Sequence, residues 1–211
     1  GNRAGKKAMG GFGALGRLLA GLRRGNSRFF WEREYTGSRA EARWASDSRL
    51  GFYDFAAGAL PREPLRILDI GSGFGYGGKR LMEICPLWEV EGFEISRNAA
   101  EQAVIPTRCA DLLCADLPAG YDYILMIQTL EHFRDTSRVL SRVVPAARKG
   151  VILTVPYRGR LNRKHLASLD ESSFAEYRGA VFQLRKRVYE KDGTEKTDMR
   201  VVIPAGSPEA R

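Results

Sequence analysis

Ile67-Leu-Asp-Ile-Gly-Ser-Gly-Phe-Gly-Tyr-Gly-Gly78 carries the chain from a short apolar strand into a glycine-rich turn and then into a helix. Glycines permit a sharp turn and let backbone amides come close to a ligand, but a tight strand–helix connection without a ligand uses them as well. The dinucleotide fingerprint G-x-G-x-x-G fails when counted from Gly71, because residue 76 is tyrosine. Counted from Gly73 it is complete, but it begins two residues late relative to the strand. The turn alone leaves a cofactor and a structural connection open.

Two carboxylates near this turn indicate the chemistry of a ligand. Asp69 ends the strand just before the glycines, giving D-x-G-x-G-x-G, and Glu94 ends the next predicted strand. A carboxylate inside the turn would repel a pyrophosphate, but it suits a ligand that carries an ammonium and a sulfonium. A carboxylate at the end of the second strand can accept hydrogen bonds from both hydroxyls of a ribose. The pair favours a cationic ligand with a ribose over a dinucleotide.

Strands and helices alternate along the middle of the chain, after a helical pattern over 39–60. The predicted strands lie at 66–70, 88–93, 104–109, 121–127 and 150–155, and the predicted helices at 77–84, 97–103 and about 136–147. Continuous apolar strands are typical of a parallel sheet that is buried on both faces. Two more strands, at 180–189 and 197–203, are joined through Asp192-Gly193, a hairpin signal. The order predicts a doubly wound α/β domain whose sheet ends in an antiparallel pair.

The composition is that of one globular domain with basic ends. The 211 residues are 44% hydrophobic and 28% charged, too apolar for a disordered chain. The apolar runs have strand length and fall short of the roughly 20 residues that a membrane span needs. Of the net charge of +9, residues 1–43 carry +7, residues 44–157 carry −2 and residues 158–211 carry +4. The region of the glycine turn is therefore slightly acidic, and the basic charge lies outside it.

Residues 1–38 are predicted to form a basic Gly/Arg-rich arm, and residues 39–211 a single domain. In the arm, leucines at 15, 18, 19 and 22 fall on one face of a helix. A basic amphipathic helix can bind an anionic surface or a partner, whereas the glycines among residues 10–25 favour an arm that frays or packs on the domain. Three cysteines, at 85, 109 and 114, fit no disulfide framework or zinc motif, so the cytoplasm is the expected compartment.

From Leu65 to Pro156 the sequence resembles the class I S-adenosylmethionine-dependent methyltransferases, in the branch that acts on small molecules. Leu68-Asp-Ile-Gly-Ser-Gly-Phe-Gly75 is similar to the family's first motif, which holds the methionine end of the cofactor. Tyr121-Asp-Tyr-Ile-Leu-Met-Ile-Gln-Thr-Leu-Glu-His-Phe133 is similar to the fourth strand and its turn, and residues 148–156 to the fifth strand. The resemblance implies a mostly parallel, seven-stranded Rossmann-like sheet with an antiparallel last strand, S-adenosyl-L-methionine as the cofactor, and methyl transfer as the reaction.

The resemblance also implies which residues bind the cofactor. Glu94 is similar to the acidic residue that holds the ribose, and Asp111 to the one that faces the adenine; Asp116 competes for that role but fits a loop better. Gln128 lies where the fourth strand ends over the cofactor. The implied cofactor-binding residues are Asp69, Gly71, Ser72, Gly73, Gly75, Glu94, Ile95, Asp111, Leu112 and Gln128. Aromatic residues between Phe29 and Phe55 are expected to form a lid, because this segment covers the site in many relatives.

Two histidines are candidates for the acceptor side of the site. His132 is the candidate general base, because an imidazole can take a proton from an attacking hydroxyl or amine; a structural or orienting role is an equal alternative. His165 follows the fifth strand, where substrate-facing residues often lie, and a surface histidine is its equal alternative. Some relatives bind a metal through Glu-x-x-Glu-His, but Gln128 replaces the first glutamate, so we predict no metal.

Missing motifs argue against several acceptors. The segment Gln128-Thr-Leu-Glu131 lacks the Asn/Asp-Pro-Pro-Tyr/Phe motif of nucleobase-amine enzymes and the second glutamate of protein-arginine enzymes. Cys85-Pro86 reverses the Pro-Cys of cytosine-C5 enzymes. We therefore expect a small-molecule acceptor with an O, N or C nucleophile. The alternatives are an RNA methyltransferase that uses the basic arm, a cofactor-binding protein without transferase activity and, more remotely, a dehydrogenase. A homo-oligomer is compatible with each of these.

Overall fold

The computed structural model describes residues 27–37, 40–188 and 193–207, which form a seven-stranded sheet with helices on both faces. The strands are β1 (Leu65–Ile70), β2 (Trp88–Glu94), β3 (Thr107–Cys109), β4 (Tyr123–Ile127), β5 (Gly150–Pro156), β6 (Val181–Val188) and β7 (Glu195–Pro204). Their order across the sheet is β3-β2-β1-β4-β5-β7-β6. The first five strands are parallel, and β7 runs antiparallel to both β5 and β6. The predicted doubly wound α/β fold is confirmed, including its antiparallel end.

Six α-helices precede or connect the strands in the described part of the chain. They are α1 (Arg28–Glu34), α2 (Ala40–Trp44), α3 (Asp47–Ala57), α4 (Tyr76–Ile84), α5 (Arg97–Glu101) and α6 (Thr136–Val143). Short 3₁₀ helices occur at Leu130–His132, Val144–Ala146 and Glu171–Phe174. The Ser96 hydroxyl and the Asp135 carboxylate cap α5 and α6 by accepting backbone N–H groups, which explains where these helices begin. No helix among the described residues has the length and apolarity needed to cross a membrane.

Three elements differ most in extent from the sequence prediction. The single helix expected over 39–60 is two helices, because Ser46 has an extended backbone (φ −69°, ψ 148°) and starts α3 afresh. Pro145 has no N–H for an α-helical hydrogen bond, so the chain after α6 continues as a 3₁₀ turn. β3 begins at Thr107 and not at residue 104, because Pro106 cannot donate to the ladder.

Apolar side chains fill both faces of the sheet and set the position of its functional edge. Leu140 of α6 belongs to the cluster on one face, and Leu81 of α4 to the cluster on the other; both are buried. This packing keeps the strands parallel and in register, so that the carboxyl ends of β1, β2 and β4 meet at one edge. Asp69, Glu94 and Gln128 lie at or directly after those ends.

The α1 helix packs on the domain through α5. The Glu32 carboxylate accepts hydrogen bonds from Ser96 Oγ at 2.8 Å and from the backbone N–H groups of Arg97 at 2.8 Å and Asn98 at 3.1 Å. Glu32 therefore caps α5 from a distant part of the chain. The predicted amphipathic helix over residues 15–22 lies outside the described residues. The arm over 1–38 and the single domain over 39–211 stay predictions.

Candidate functional site

The glycine turn between β1 and α4 adopts a backbone that other residues resist. Gly71, Gly73 and Gly75 have φ angles of 78°, 56° and 78°, all in the left-handed region. A Cβ on Gly71 would lie 2.6 Å from Thr129 Oγ1, and one on Gly73 would lie 2.9 Å from Tyr35 Oη. A Cβ on Gly75 would lie 2.7 Å from Ile105 Cγ1. All three positions therefore require glycine both for conformation and for space. The close approach of Thr129 shows that the segment after β4 lies directly against the turn.

Asp69 is fully buried at the end of β1, with one carboxylate oxygen unpartnered. Its Oδ2 accepts a hydrogen bond of 2.9 Å from Tyr53 Oη, while Oδ1 has no partner among the described residues. Burial raises the pKa of Asp69 to about 7; the hydrogen bond from Tyr53 opposes this, and the nearby Glu94 carboxylate adds to it. A cation at Oδ1 would satisfy an acceptor that is otherwise buried at a cost.

Glu94, at the end of β2, holds the glycine turn in place. Its Oε2 accepts the backbone N–H of Gly73 at 2.8 Å, and its Oε1 accepts that of Ser96 at 2.9 Å. Burial raises the pKa of Glu94, although these backbone hydrogen bonds oppose the change. Each carboxylate oxygen can accept more than one hydrogen bond, so Glu94 keeps capacity for ribose hydroxyls. Fixing the turn is a second role that the sequence did not indicate.

Two further predicted residues present polar atoms at the same edge of the sheet. Ser72 Oγ and Gln128 Nε2 are buried and have no hydrogen-bond partner in the part of the chain that the structure describes. Gln128 has a φ of 52°, which is unusual for a residue other than glycine, and its N–H donates to the Thr154 carbonyl at 2.7 Å. Strained backbone and unsatisfied buried groups of this kind are typical of binding sites.

The remaining predicted residues lie further along this edge. The N–H of residue 110 donates to the Glu94 carbonyl at 2.9 Å, which places Asp111 beside the end of β2. Asp111 Oδ1 accepts a backbone N–H two residues later at 2.9 Å, and Leu112 is buried in the apolar core. The Ile95 carbonyl accepts a hydrogen bond of 3.1 Å from an arginine of α1. Asp116 is exposed. Contact of Asp111, Leu112 and Ile95 with a cofactor stays a prediction.

Aromatic side chains from the segment before the sheet cover the glycine turn. Tyr35 is buried and packs edge-on against Phe74 of the turn, with ring centroids 5.2 Å apart, and against Trp44 at 5.0 Å. Burial and the neighbouring carboxylates hold the pKa of Tyr35 well above its usual value. We call Trp31, Tyr35, Trp44 and Tyr53 the aromatic lid. Tyr35 lies beside Gly73 of the turn, and Tyr53 donates its hydroxyl hydrogen to the buried Asp69 carboxylate.

His132 lies against this lid and beside His165. Its ring packs edge-on against Trp31, with centroids 4.8 Å apart, and lies 5.4 Å from the ring of His165. The Nδ1 atom of His132 lies 3.0 Å from the Lys164 carbonyl. A carbonyl only accepts, so Nδ1 carries the proton in the neutral ring and Nε2 keeps its lone pair. Burial lowers the pKa of His132 to about 4, so the ring is neutral near pH 7.

Glu131 is a candidate that sequence reasoning treated only as part of a motif. The residue is 2% exposed, and its Oε2 has no partner among the described residues. Burial raises the pKa of Glu131 to about 8. Its carbonyl accepts the N–H groups of Leu166 at 2.7 Å and Ala167 at 3.1 Å, which ties the loop after β5 to the segment after β4. Its position next to His132 was the signal that could have pointed to it.

Comparisons with known proteins agree with this architecture. A family model described as a methyltransferase domain matches residues 40–189. Comparison with curated proteins gave no match. Among solved structures, the plantazolicin methyltransferase BpumL, in complex with a monoazolic desmethylPZN analog and SAH, is 14% identical with a TM-score of 0.63, and the match covers 93% of this chain and 100% of that chain.

Two other similar structures broaden the comparison. Magnesium protoporphyrin IX methyltransferase (ChlM) from Synechocystis PCC 6803 with bound SAM is 16% identical with a TM-score of 0.58, covering 88% of this chain and 95% of that chain. Phosphoethanolamine N-methyltransferase 2 of Haemonchus contortus is 13% identical with a TM-score of 0.55, covering 82% of this chain and 60% of that chain. At these identities the likeness shows a shared fold. Because the family model spans most of the chain, the protein belongs to the methyltransferase domain family and is a class I S-adenosylmethionine-dependent methyltransferase.

Proposed function

We propose that this protein transfers the methyl group of S-adenosylmethionine to a small-molecule acceptor with an oxygen, nitrogen or carbon nucleophile. The observation that carries the proposal is the unpartnered, fully buried Oδ1 of Asp69, beside a glycine turn that Glu94 holds in place. An ammonium or a sulfonium near Oδ1 would satisfy that oxygen. A pyrophosphate at the same place would be repelled, which argues against a dinucleotide.

The chain has two tasks in such a reaction, to hold the donor and to align the acceptor. When bound, S-adenosylmethionine supplies a methyl group that is already activated by the positive charge on sulfur. Asp69 and the backbone of the glycine turn bind the charged methionine portion, Glu94 accepts hydrogen bonds from the ribose hydroxyls, and Asp111 faces the adenine. The aromatic lid excludes water, so that attraction between opposite charges is screened less than in solvent.

The ring packing on the acceptor side favours a small acceptor. His132 and Trp31 pack together next to the loop after β5, whereas an RNA would need an open groove. The neutral His132 ring has its Nε2 lone pair available, either to take a proton from an acceptor as a general base or to bind a cation. The three similar enzymes above are named for acceptors of different chemistry, so their names do not indicate which acceptor this protein uses. The residues around His132 are the better guide to the acceptor.

Calorimetry with S-adenosylmethionine tests the cofactor part of the proposal. Wild-type protein is expected to bind one equivalent, and Asp69→Ala to lose binding, because the charged methionine portion loses its carboxylate partner. Glu89→Gln, a change at an exposed carboxylate outside the predicted site, is the control and is expected to bind like wild type. Absence of wild-type binding, or unchanged affinity in Asp69→Ala, would overturn the assignment.

A screen of acceptors with methyl-labelled S-adenosylmethionine tests the transfer. Labelling of a small molecule supports the proposal, and binding without any transfer would favour a non-catalytic cofactor-binding protein. Labelling of RNA that fades steeply with salt and disappears when residues 1–26 are deleted would favour the RNA alternative instead. Those residues lie outside the described part of the chain. A cytoplasmic location and a homo-oligomer stay predictions; the three free cysteines agree with the former.

A further inference from the structure

Three metal-ligating side chains meet on the acceptor side of the site, although they come from two separate segments. Glu131 and His132 belong to the 3₁₀ turn after β4, and His165 belongs to the loop after β5. Their ligating atoms all lie within 4.8 Å of one another. The backbone hydrogen bonds from Leu166 and Ala167 to the Glu131 carbonyl hold the two segments together. The cluster is therefore a consequence of the fold and not of a local motif.

The Glu131 carboxylate points to a missing partner. The residue is 2% exposed, and Oε2 has no hydrogen-bond partner in the described chain. A buried carboxylate oxygen without a partner costs free energy, which a bound cation would offset. Two cations already lie nearby: Lys164 forms an ion pair of 2.6 Å with Glu34, and the Arg49 guanidinium packs over the Trp44 ring at 4.6 Å. The charge of Arg49 lowers the pKa of Glu131 and so offsets part of the effect of burial, but Oε2 itself has no hydrogen-bond partner among the described residues.

The orientation of His132 is that of a metal ligand. Its Nδ1 lies 3.0 Å from the Lys164 carbonyl, which leaves Nε2 as the ring nitrogen available to a metal ion. Histidines that ligate metals commonly donate their other N–H to a carbonyl or a carboxylate, because this fixes the ring and its tautomer. The neighbouring residue, His165, is half-buried and can turn its imidazole towards the same point.

We propose that Glu131, His132 and His165 bind a divalent first-row transition-metal ion, with Zn²⁺ as the ion that fits the donor set best. Two imidazoles and one carboxylate form a three-ligand set that leaves a fourth position open, as in catalytic zinc sites. Imidazole ligands favour such ions over Mg²⁺ and Ca²⁺, which prefer oxygen ligands. The sequence predicted no metal because Gln128 interrupts a local motif; His165 supplies the third ligand from another segment.

The open position gives the ion a role that rests on the proposed function. The cluster lies two residues beyond Thr129, which touches the glycine turn, and His132 packs against the lid. An acceptor hydroxyl bound at the open position would lose its proton to solvent more readily, because a bound cation lowers the pKa of an oxygen ligand. His132 would then act as a ligand and not as the general base. The acceptor class is thereby narrowed to an oxygen nucleophile.

Metal titration of chelator-treated, full-length protein tests the site directly. Zn²⁺ binding by calorimetry is expected at one equivalent, and Co²⁺ is expected to give the visible absorption of a low-coordinate site. Mg²⁺ should not displace either ion. His165→Ala is expected to weaken Zn²⁺ binding by at least about tenfold, the lower end of what removal of a supporting partner costs. A Cys109→Ser/Cys114→Ser variant removes the two exposed thiols and should bind Zn²⁺ like wild type.

The outcomes separate the metal site from the proposed function. Failure of wild type to bind Zn²⁺, unchanged affinity in His165→Ala, or loss of binding in the double-cysteine variant would each overturn the site. Glu131→Gln, which keeps the side-chain shape, is expected to lose binding as well, and thermal melting of each variant shows whether it is folded. Zn²⁺ binding without S-adenosylmethionine binding would refute the proposed function and keep the site; the reverse result would refute the site alone.

Discussion

Replacing Asp69 with asparagine is expected to stabilise the cofactor-free protein near neutral pH while abolishing S-adenosylmethionine binding. Asp69 is fully buried, and burial raises its pKa to about 7 from an ordinary 3.8. Between these two pH values the unfolded chain ionises this carboxyl while the folded protein keeps it protonated. The stability contributed by Asp69 therefore falls as the pH rises from 3.8 to about 7, and it is constant above that.

The size of the effect follows from the difference between the two pKa values. The raised pKa of Asp69 lowers the unfolding free energy of the wild-type protein by about 4 kcal/mol at pH 8 and by about 2 kcal/mol at pH 5. Asparagine cannot ionise, and its amide oxygen can still accept the hydrogen bond from Tyr53. The variant therefore avoids this penalty at every pH. The nearby Glu94 carboxyl, whose pKa is also raised, is present in both proteins and largely cancels in their difference.

Urea unfolding at pH 5, 6.5 and 8 measures this difference, with Asp116→Asn as the exposed control. We expect Asp69→Asn to gain stability over wild type, with a gain that grows with pH, while Asp116→Asn stays close to wild type at each pH. A variant that is no more stable than wild type at pH 8, or whose gain does not grow with pH, would refute the reasoning about the buried carboxyl. Unchanged affinity for S-adenosylmethionine would refute its role in the site.

Three further substitutions, and one control, probe the turn, the lid and their coupling. Gly73→Ala puts a Cβ 2.9 Å from Tyr35 Oη at a residue with a left-handed φ. The variant should be less stable by about 1–3 kcal/mol in thermal melts and should bind the cofactor more weakly. Gly37→Ala is the control for the conformational part of this cost, because Gly37 has a left-handed φ but open space around it. Tyr53→Phe removes the hydrogen bond that lowers the pKa of Asp69, so the pKa of Asp69 should rise. Protonated Asp69 binds a cation poorly, so the pH below which cofactor affinity declines should rise as well. An unchanged pH profile of the affinity in calorimetry would contradict this. Trp31→Ala should raise the KM for the acceptor and leave the Kd for S-adenosylmethionine within about twofold, and the opposite pattern would place Trp31 on the cofactor.

The strands, the glycine turn and two of its carboxylates were predictable because local signals encode them. Apolar runs mark buried strands, and the glycines before α4 mark a left-handed turn, whatever the rest of the chain does. Parallel strands end at one edge, so Asp69 and Glu94 could be placed together from their positions alone. The helix break at Ser46 was missed, because the polar residues that allow it also occur inside helices.

The surroundings of these residues could not be read from sequence, because packing between distant segments creates them. The hydrogen bond from Tyr53 to Asp69 depends on how α3 lies across the sheet, and no spacing along the chain encodes that contact. Burial, which raises the pKa of Asp69, exists only in the folded structure, where helices pack on both faces of the sheet that carries it. In the same way His165 reaches Glu131 and His132 only because two loops meet at the edge of the sheet. The linear order of residues fixes which groups are available, and the folded contacts fix their charge state and their partners.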